Sequence, residues 1–98
     1  MKAARVDTNQ PAIVGALRAY GATVQHLHKV GDGCPDLLVG YMGKDGIRRN
    51  FLLEVKDGGK PPSKRNLTPQ QKVWHASWRG TVDVVKNIED ALKVIGVK

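Results

Sequence analysis

Three side chains in this sequence suggest chemistry. Asp36 follows a Gly/Pro turn, Gly31-Asp32-Gly33-Cys34-Pro35, and Glu54 and Lys56 stand two residues apart on an apolar segment. Side chains two apart on a strand share a face, so Glu54 and Lys56 project together while Val55 points into the core. Two neighbouring carboxylates repel each other in low dielectric, and a hard cation between them relieves the repulsion. Mg2+ or Mn2+ suits such a site, because both take oxygen ligands in octahedral geometry and keep bound water. The Val55 carbonyl offers a further oxygen. A cation there would lower the pKa of its bound water and neutralise charge on a phosphoryl oxygen. Lys56 would orient or deprotonate that water, or stabilise the pentacovalent transition state. Phosphodiester hydrolysis is the reaction class that uses this set. Each piece alone is ordinary: Glu-x-Lys at a strand end is usually a solvated ion pair, and Gly-x-Pro-Asp is a common turn. Their combination on adjacent strands narrows the reading. Asp32 reads as a turn residue or an acid behind the site, and Asp57 as the start of the next loop.

The groups meet only if their strands are neighbours. Gly43-Lys44-Asp45-Gly46 is a hairpin turn by composition. It pairs a strand over 36–41 with an antiparallel strand over 47–56, whose core positions are Phe51, Leu52, Leu53 and Val55. Asp36 then falls opposite Leu53 to Lys56. The run after Asp36 is nearly all apolar, which predicts a strand covered on both faces. Before it, the spacing of Ile13, Val14, Ala16 and Leu17 predicts a helix over 11–20, with Asn9 or Gln10 as cap, Pro11 in the first turn, Arg18 exposed and Gly21 as the stop. Residues 1–9 read as a polar, frayed lead-in. Alternation predicts a strand over 23–30 with Val24, His26 and His28 on one side. Two histidines at that spacing suit metal or phosphate, or simply a half-exposed strand.

Residues 57–66 carry two glycines, two prolines and three basic residues, and read as a loop that orders around a ligand. Thr68-Pro69-Gln70-Gln71 is a helix start, with Thr68 as N-cap and Gln71 as the return residue of a capping box. That helix is expected to run through Val73, Trp74 and Ser77 to about Arg79 and stop at Gly80. A short strand over 81–86 follows. Asn87 then caps a helix over 88–95 with Ile88, Ala91, Leu92 and Ile95 as its apolar positions. The order is αβββαβα, an α/β fold with a mixed β-sheet flanked by helices.

The 98 residues make one domain, spanning 1–98, with 41% hydrophobic and 26% charged residues, a globular rather than a disordered composition. The single Cys34 excludes an internal disulfide. No apolar run approaches the length of a membrane span, and the segment from Met1 to Asp7 has no apolar signal core. A cytoplasmic protein with no membrane partner is expected. The net charge of +7 favours a polyanionic partner such as nucleic acid.

These motifs resemble the PD-(D/E)XK nuclease superfamily, whose fold is restriction-endonuclease-like, and within it the stand-alone VRR-NUC domains typical of phages. Pro35-Asp36 and Glu54-Val55-Lys56 are similar to its two motif elements. The stretches from Gly31 to Gly40, Leu67 to His75 and Trp78 to Val82 resemble the sequence around them. The resemblance spans essentially the whole chain. It implies Asp36 and Glu54 as metal ligands with the Val55 carbonyl, Lys56 as the catalytic lysine, and Gln71 or Gln70 as an assisting group, Gln71 preferred. Gln71 is equally claimed by its capping role. Many members place a glutamate on the first helix, and the matching position here is near Val6. Asp7, Asn9 or Gln10 stands in its place.

The resemblance further implies a Mg2+- or Mn2+-dependent DNA endonuclease, structure-selective on flaps or four-way (Holliday) junctions and acting as a homodimer. If phage-encoded, it would work in the host-cell cytoplasm. Lys60, Lys64 and Arg65 are expected to contact phosphates of branched or duplex DNA. Ile47, Phe51, Trp74 and Trp78 are candidates for the dimer interface or the core, and helix tryptophans more often pack than stack on DNA. The rival expectation is an inactive basic nucleic-acid-binding module. A structural subunit of a larger complex is a third.

Overall fold

A computed structural model describes residues 7–98. The elements are α1 (Gln10–Ala19), β1 (Thr23–His26), β2 (Leu37–Met42), β3 (Arg48–Val55), a 3-10 turn (Pro62–Lys64), α2 (Pro69–Ser77), β4 (Asp83–Val85) and α3 (Ile88–Val94). The expected order αβββαβα is therefore observed. The four strands form one sheet in sequential order. β2 runs antiparallel to both β1 and β3, and β4 joins β3 in parallel. A parallel neighbour needs a crossover, and residues 56–82, which contain α2, provide it.

One face of the sheet carries the core. Leu37 and Val39 of β2, Leu53 and Val55 of β3 and Val85 of β4 alternate onto that face. They meet Ile13, Val14 and Leu17 of α1 and Ala91, Leu92 and Ile95 at α3. A fully buried side chain of this kind contributes roughly 1.5–3 kcal/mol. The other face of β3 carries Glu54 and Lys56, and α2 lies over it.

Several boundaries differ from the sequence expectation. β1 stops at His26, four residues early: the Leu27 amide makes the last bond of the ladder, to the Asp36 carbonyl, and the Val30 amide then donates to the Leu27 carbonyl, closing a turn. His28 sits in that turn, so the two histidines do not share a strand face. Their rings meet edge to face, with centroids 5.9 Å apart. β2 alternates between buried and half-buried residues rather than being covered on both faces, since α2 covers only part of the second face. Phe51 is half-buried and packs against the core, whereas Leu52 is half-buried and outside it. Loop 57–66 holds one 3-10 turn. α2 ends at Ser77, with Trp78 extended. β4 is three residues long. Ile88 is exposed on α3. Asn9 occupies the cap position of α1 without capping it. Of the expected lead-in over 1–9, residues 1–6, Val6 included, lie outside the described residues, and Thr8 and Asn9 hydrogen-bond to Asp57 and to the carbonyls of Lys56 and Lys86.

Candidate active site

The hairpin register decides where Asp36 goes. Gly46, at a positive φ of 76°, closes the turn with its amide donating to the Gly43 carbonyl. Pairing then runs down the ladder to Leu37 opposite Leu53. Asp36, one residue before β2, lies beside Val55, whose amide donates to its Oδ2 at 2.7 Å. A strand residue presents its N–H and C=O on the same side, so the Val55 carbonyl also leaves β3 toward Asp36. The Val55 side chain is fully buried in the core and anchors this point of the backbone.

Glu54 and Lys56 both lie buried on the opposite face. The Glu54 carboxylate Oε2 is 4.0 Å from the Lys56 ammonium and accepts from Gln71 Nε2 at 3.2 Å. Lys56 Nζ donates to Gln71 Oε1 at 2.7 Å. The same Oε1 accepts the Thr68 amide at 2.9 Å, while the Gln71 amide donates to the Thr68 hydroxyl oxygen at 3.2 Å. The Gln71 side chain thus makes its half of the capping box and the bridge between Glu54 and Lys56 at once. The two roles do not compete, because a carbonyl oxygen has two lone pairs and the amide nitrogen is left free to donate elsewhere.

Burial, then hydrogen-bond contact with Asp36 and the charge of Asp36, push the Glu54 carboxyl up to about 9, against the pull of Lys56. Burial first, then the charges of Glu54 and Asp36, also raises the Cys34 thiol, which disfavours a thiolate nucleophile there.

A cleft of about 790 Å³ opens over these groups. Asp36, Glu54, Lys56, Gln70 and Gln71 line it, and Lys60 and Lys64 stand at its loop side. Arg65 does not line it. Asp7 does, 3.8 Å from Lys60 Nζ through its Oδ1. The other two first-helix candidates turn away. Asn9 Nδ2 donates to the carbonyls of Lys56 and Lys86 at 3.2 and 3.1 Å, tying the ends of β3 and β4 together. Gln10 is buried, its Nε2 3.5 Å from His26 Nδ1, and it lies outside the cleft. Asp32 lines the cleft from a left-handed turn position, φ 55°. Asp57 begins the loop, accepting from Thr8 and from the Gly59 amide.

No protein-family model and no curated protein matches the chain. Among solved structures, the chain is similar to one described as a VRR_NUC domain, with a TM-score of 0.58, 28% sequence identity and 88% of each chain covered. The fold is that of a VRR-NUC domain.

The donor set of this cleft fits a hard divalent cation. Among the described residues no group of three or more His, Cys, Asp or Glu side chains is arranged to hold a metal. The cleft instead offers two carboxylates pressed together, Asp36 and Glu54, with a main-chain carbonyl beside them. Glu54 Oε1 is buried and has no hydrogen-bond partner among the described residues. An unpaired buried carboxylate oxygen is costly, and a cation ligated through oxygen would satisfy it. So few protein ligands suit an ion that retains several waters.

His75 is the residue that sequence reasoning missed. Its Nε2 stands 3.7 Å from Glu54 Oε1. Burial, then the nearby Lys56 ammonium, hold its pKa below the usual histidine range. The signal was present: His75 follows Gln71 by four residues on a capped helix, and such residues share a face.

Proposed function

We propose that this chain is a Mg2+- or Mn2+-dependent endonuclease that hydrolyses DNA phosphodiesters. The observation that carries the proposal is the convergence of Asp36, Glu54 and Lys56 on one cleft, with Gln71 hydrogen-bonded to both Glu54 and Lys56. The likeness to a VRR_NUC domain supports a nuclease. Asp36, Glu54 and the Val55 carbonyl would hold the cation, which supplies an activated water and neutralises phosphoryl charge. Lys56 has three N–H donors. One is committed to Gln71, which fixes the ammonium in place and leaves two for a phosphoryl oxygen or the attacking water. Burial of Glu54 and Lys56 keeps bulk water from screening this charge. Asp7, at the cleft wall, takes the position of the first-helix acid.

Lys60 and Lys64 would contact DNA phosphates. Such contacts position a backbone without reading bases, so cutting is structure-selective, on flaps or four-way junctions. A two-fold homodimer places two such clefts symmetrically, which suits paired cuts. Ile47 and Trp78, 52% and 47% exposed, are available to that interface.

The test is a cleavage panel of flap, fork, four-way-junction and duplex DNA with Mg2+, Mn2+ or chelator, using wild type, Asp36→Ala and Lys56→Ala. The expected outcome is metal-dependent cutting of branched DNA that each substitution lowers by roughly 100-fold or more while binding persists. Binding without cutting by the wild type would leave the inactive-module reading. Equal cutting by the variants would overturn the site assignment. Sedimentation giving a monomer at micromolar concentration would overturn the dimer.

A further inference from the structure

We infer that His75 is a positioning residue for Glu54, gripping the carboxylate oxygen that Gln71 leaves free. The inference deepens the proposed metal-dependent reading and rests on it. Gln71 and His75 lie one turn apart on α2 and face the same carboxylate. Gln71 Nε2 donates to Oε2 at 3.2 Å, and His75 Nε2 faces Oε1 at 3.7 Å. Glu54 Oε1 and His75 Nε2 are both buried, and neither has a hydrogen-bond partner among the described residues. Two unsatisfied polar atoms facing each other in a buried setting are a donor–acceptor pair short of contact by about half an ångström. A small rotation of either side chain, or one bridging water, joins them.

The helix is held for this purpose at its other end. Its capping box fixes the N-terminus through Gln71 itself, and the Gln70 backbone rests against Gly33, where a Cβ would collide with the Gln70 carbonyl. α2 is therefore registered against the site at Gln71, and His75 follows at a set height above Glu54. Gripping both oxygens limits rotation of the carboxylate, so a cation meets a ligand already oriented. Outer groups that orient a metal ligand act in this way.

The test compares wild type with His75→Leu, which removes the donor at similar size, and His75→Gln, whose amide can reach Oε1. Mn2+ affinity is read by electron paramagnetic resonance without DNA, alongside thermal unfolding and cleavage at saturating metal. The expected result is Mn2+ binding weakened roughly 10-fold or more by His75→Leu and largely recovered by His75→Gln. His75→Asn replaces His75→Leu in the comparison if the leucine variant does not fold, since its amide is too short to reach. Affinity unchanged in the donor-free variant, or as weak in His75→Gln as in His75→Leu, overturns the positioning role and leaves the metal site standing. No Mn2+ binding by the wild type overturns the metal-dependent reading itself, and this inference with it.

Discussion

Glu54 is the residue on which most of the site's energetics turns. It is a buried acid beside a second acid, and without a cation its ionised form is disfavoured. The consequence for stability follows from linkage. Below its unfolded value of 4.5 the carboxyl is protonated in both states and contributes nothing. Between there and about 9 the unfolded chain loses the proton while the folded chain keeps it. Stability therefore falls as pH rises through that window, by no more than about 1.4 kcal/mol per pH unit. In chelator, Glu54→Gln should be more stable than wild type at pH 8, with a smaller gap at pH 5. Thermal unfolding across that range checks it, and a Glu54→Gln variant that melts below wild type at pH 8 would contradict it. Gln71 is the complement of Glu54: it donates to the acid, accepts from the lysine and caps a helix with the same amide.

At the scale of elements, the site depends on how α2 is seated on the sheet. β3 supplies Glu54, the residue after it is Lys56, and the turn before β2 supplies Asp36, so the hairpin alone assembles the acids and the lysine. The helix groups arrive by a different route, through the contact between Gly33 and Gln70. Gly33 has φ +82°, and an added Cβ would meet the Gln70 carbonyl. Gly33→Ala is expected to cost about 1–3 kcal/mol from the backbone conformation, and it should push α2 away from Glu54 as well. The prediction is a lowered melting temperature together with cleavage lost beyond what unfolding explains, measured well below the melt. Full activity in the folded variant would show that the seat of α2 is not set there.

At the scale of the whole molecule, the charge of +7 is not spread without consequence. Lys60 and Lys64 stand at the cleft, and the salt bridge from Lys60 to Asp7 draws the loop against the segment before α1. Lys60→Ala with Lys64→Ala should weaken DNA binding about equally for every sequence. The slope of log affinity against log salt should fall by about one for each lysine lost. Binding titrations at several salt concentrations read this directly, and an unchanged slope would remove the two lysines from the phosphate footprint. Among the described residues no helix is long and apolar enough to cross a membrane.

Much of this arrangement was legible in the sequence, and the reasons are local. The turn Gly43-Lys44-Asp45-Gly46 sets the hairpin register, and register carries Asp36 to Val55 without any long-range information. Thr68-Pro69-Gln70-Gln71 declares its own capping box, because the partners are three residues apart. Strand alternation puts Glu54 and Lys56 on one face and Val55 on the other. What the tertiary structure decided are contacts between segments distant in the chain. His28 left the strand because the Val30 amide closed a turn on the Leu27 carbonyl. Asn9 gave up its cap to bridge the carbonyls of Lys56 and Lys86. Gln71 served two roles and His75 came to face Glu54 because α2 packs over β3, and no spacing within α2 says which strand it will cover. Local propensity and periodicity act over a few residues and are written in sequence, whereas the partner of a buried polar atom is set by which surfaces the folded chain brings together.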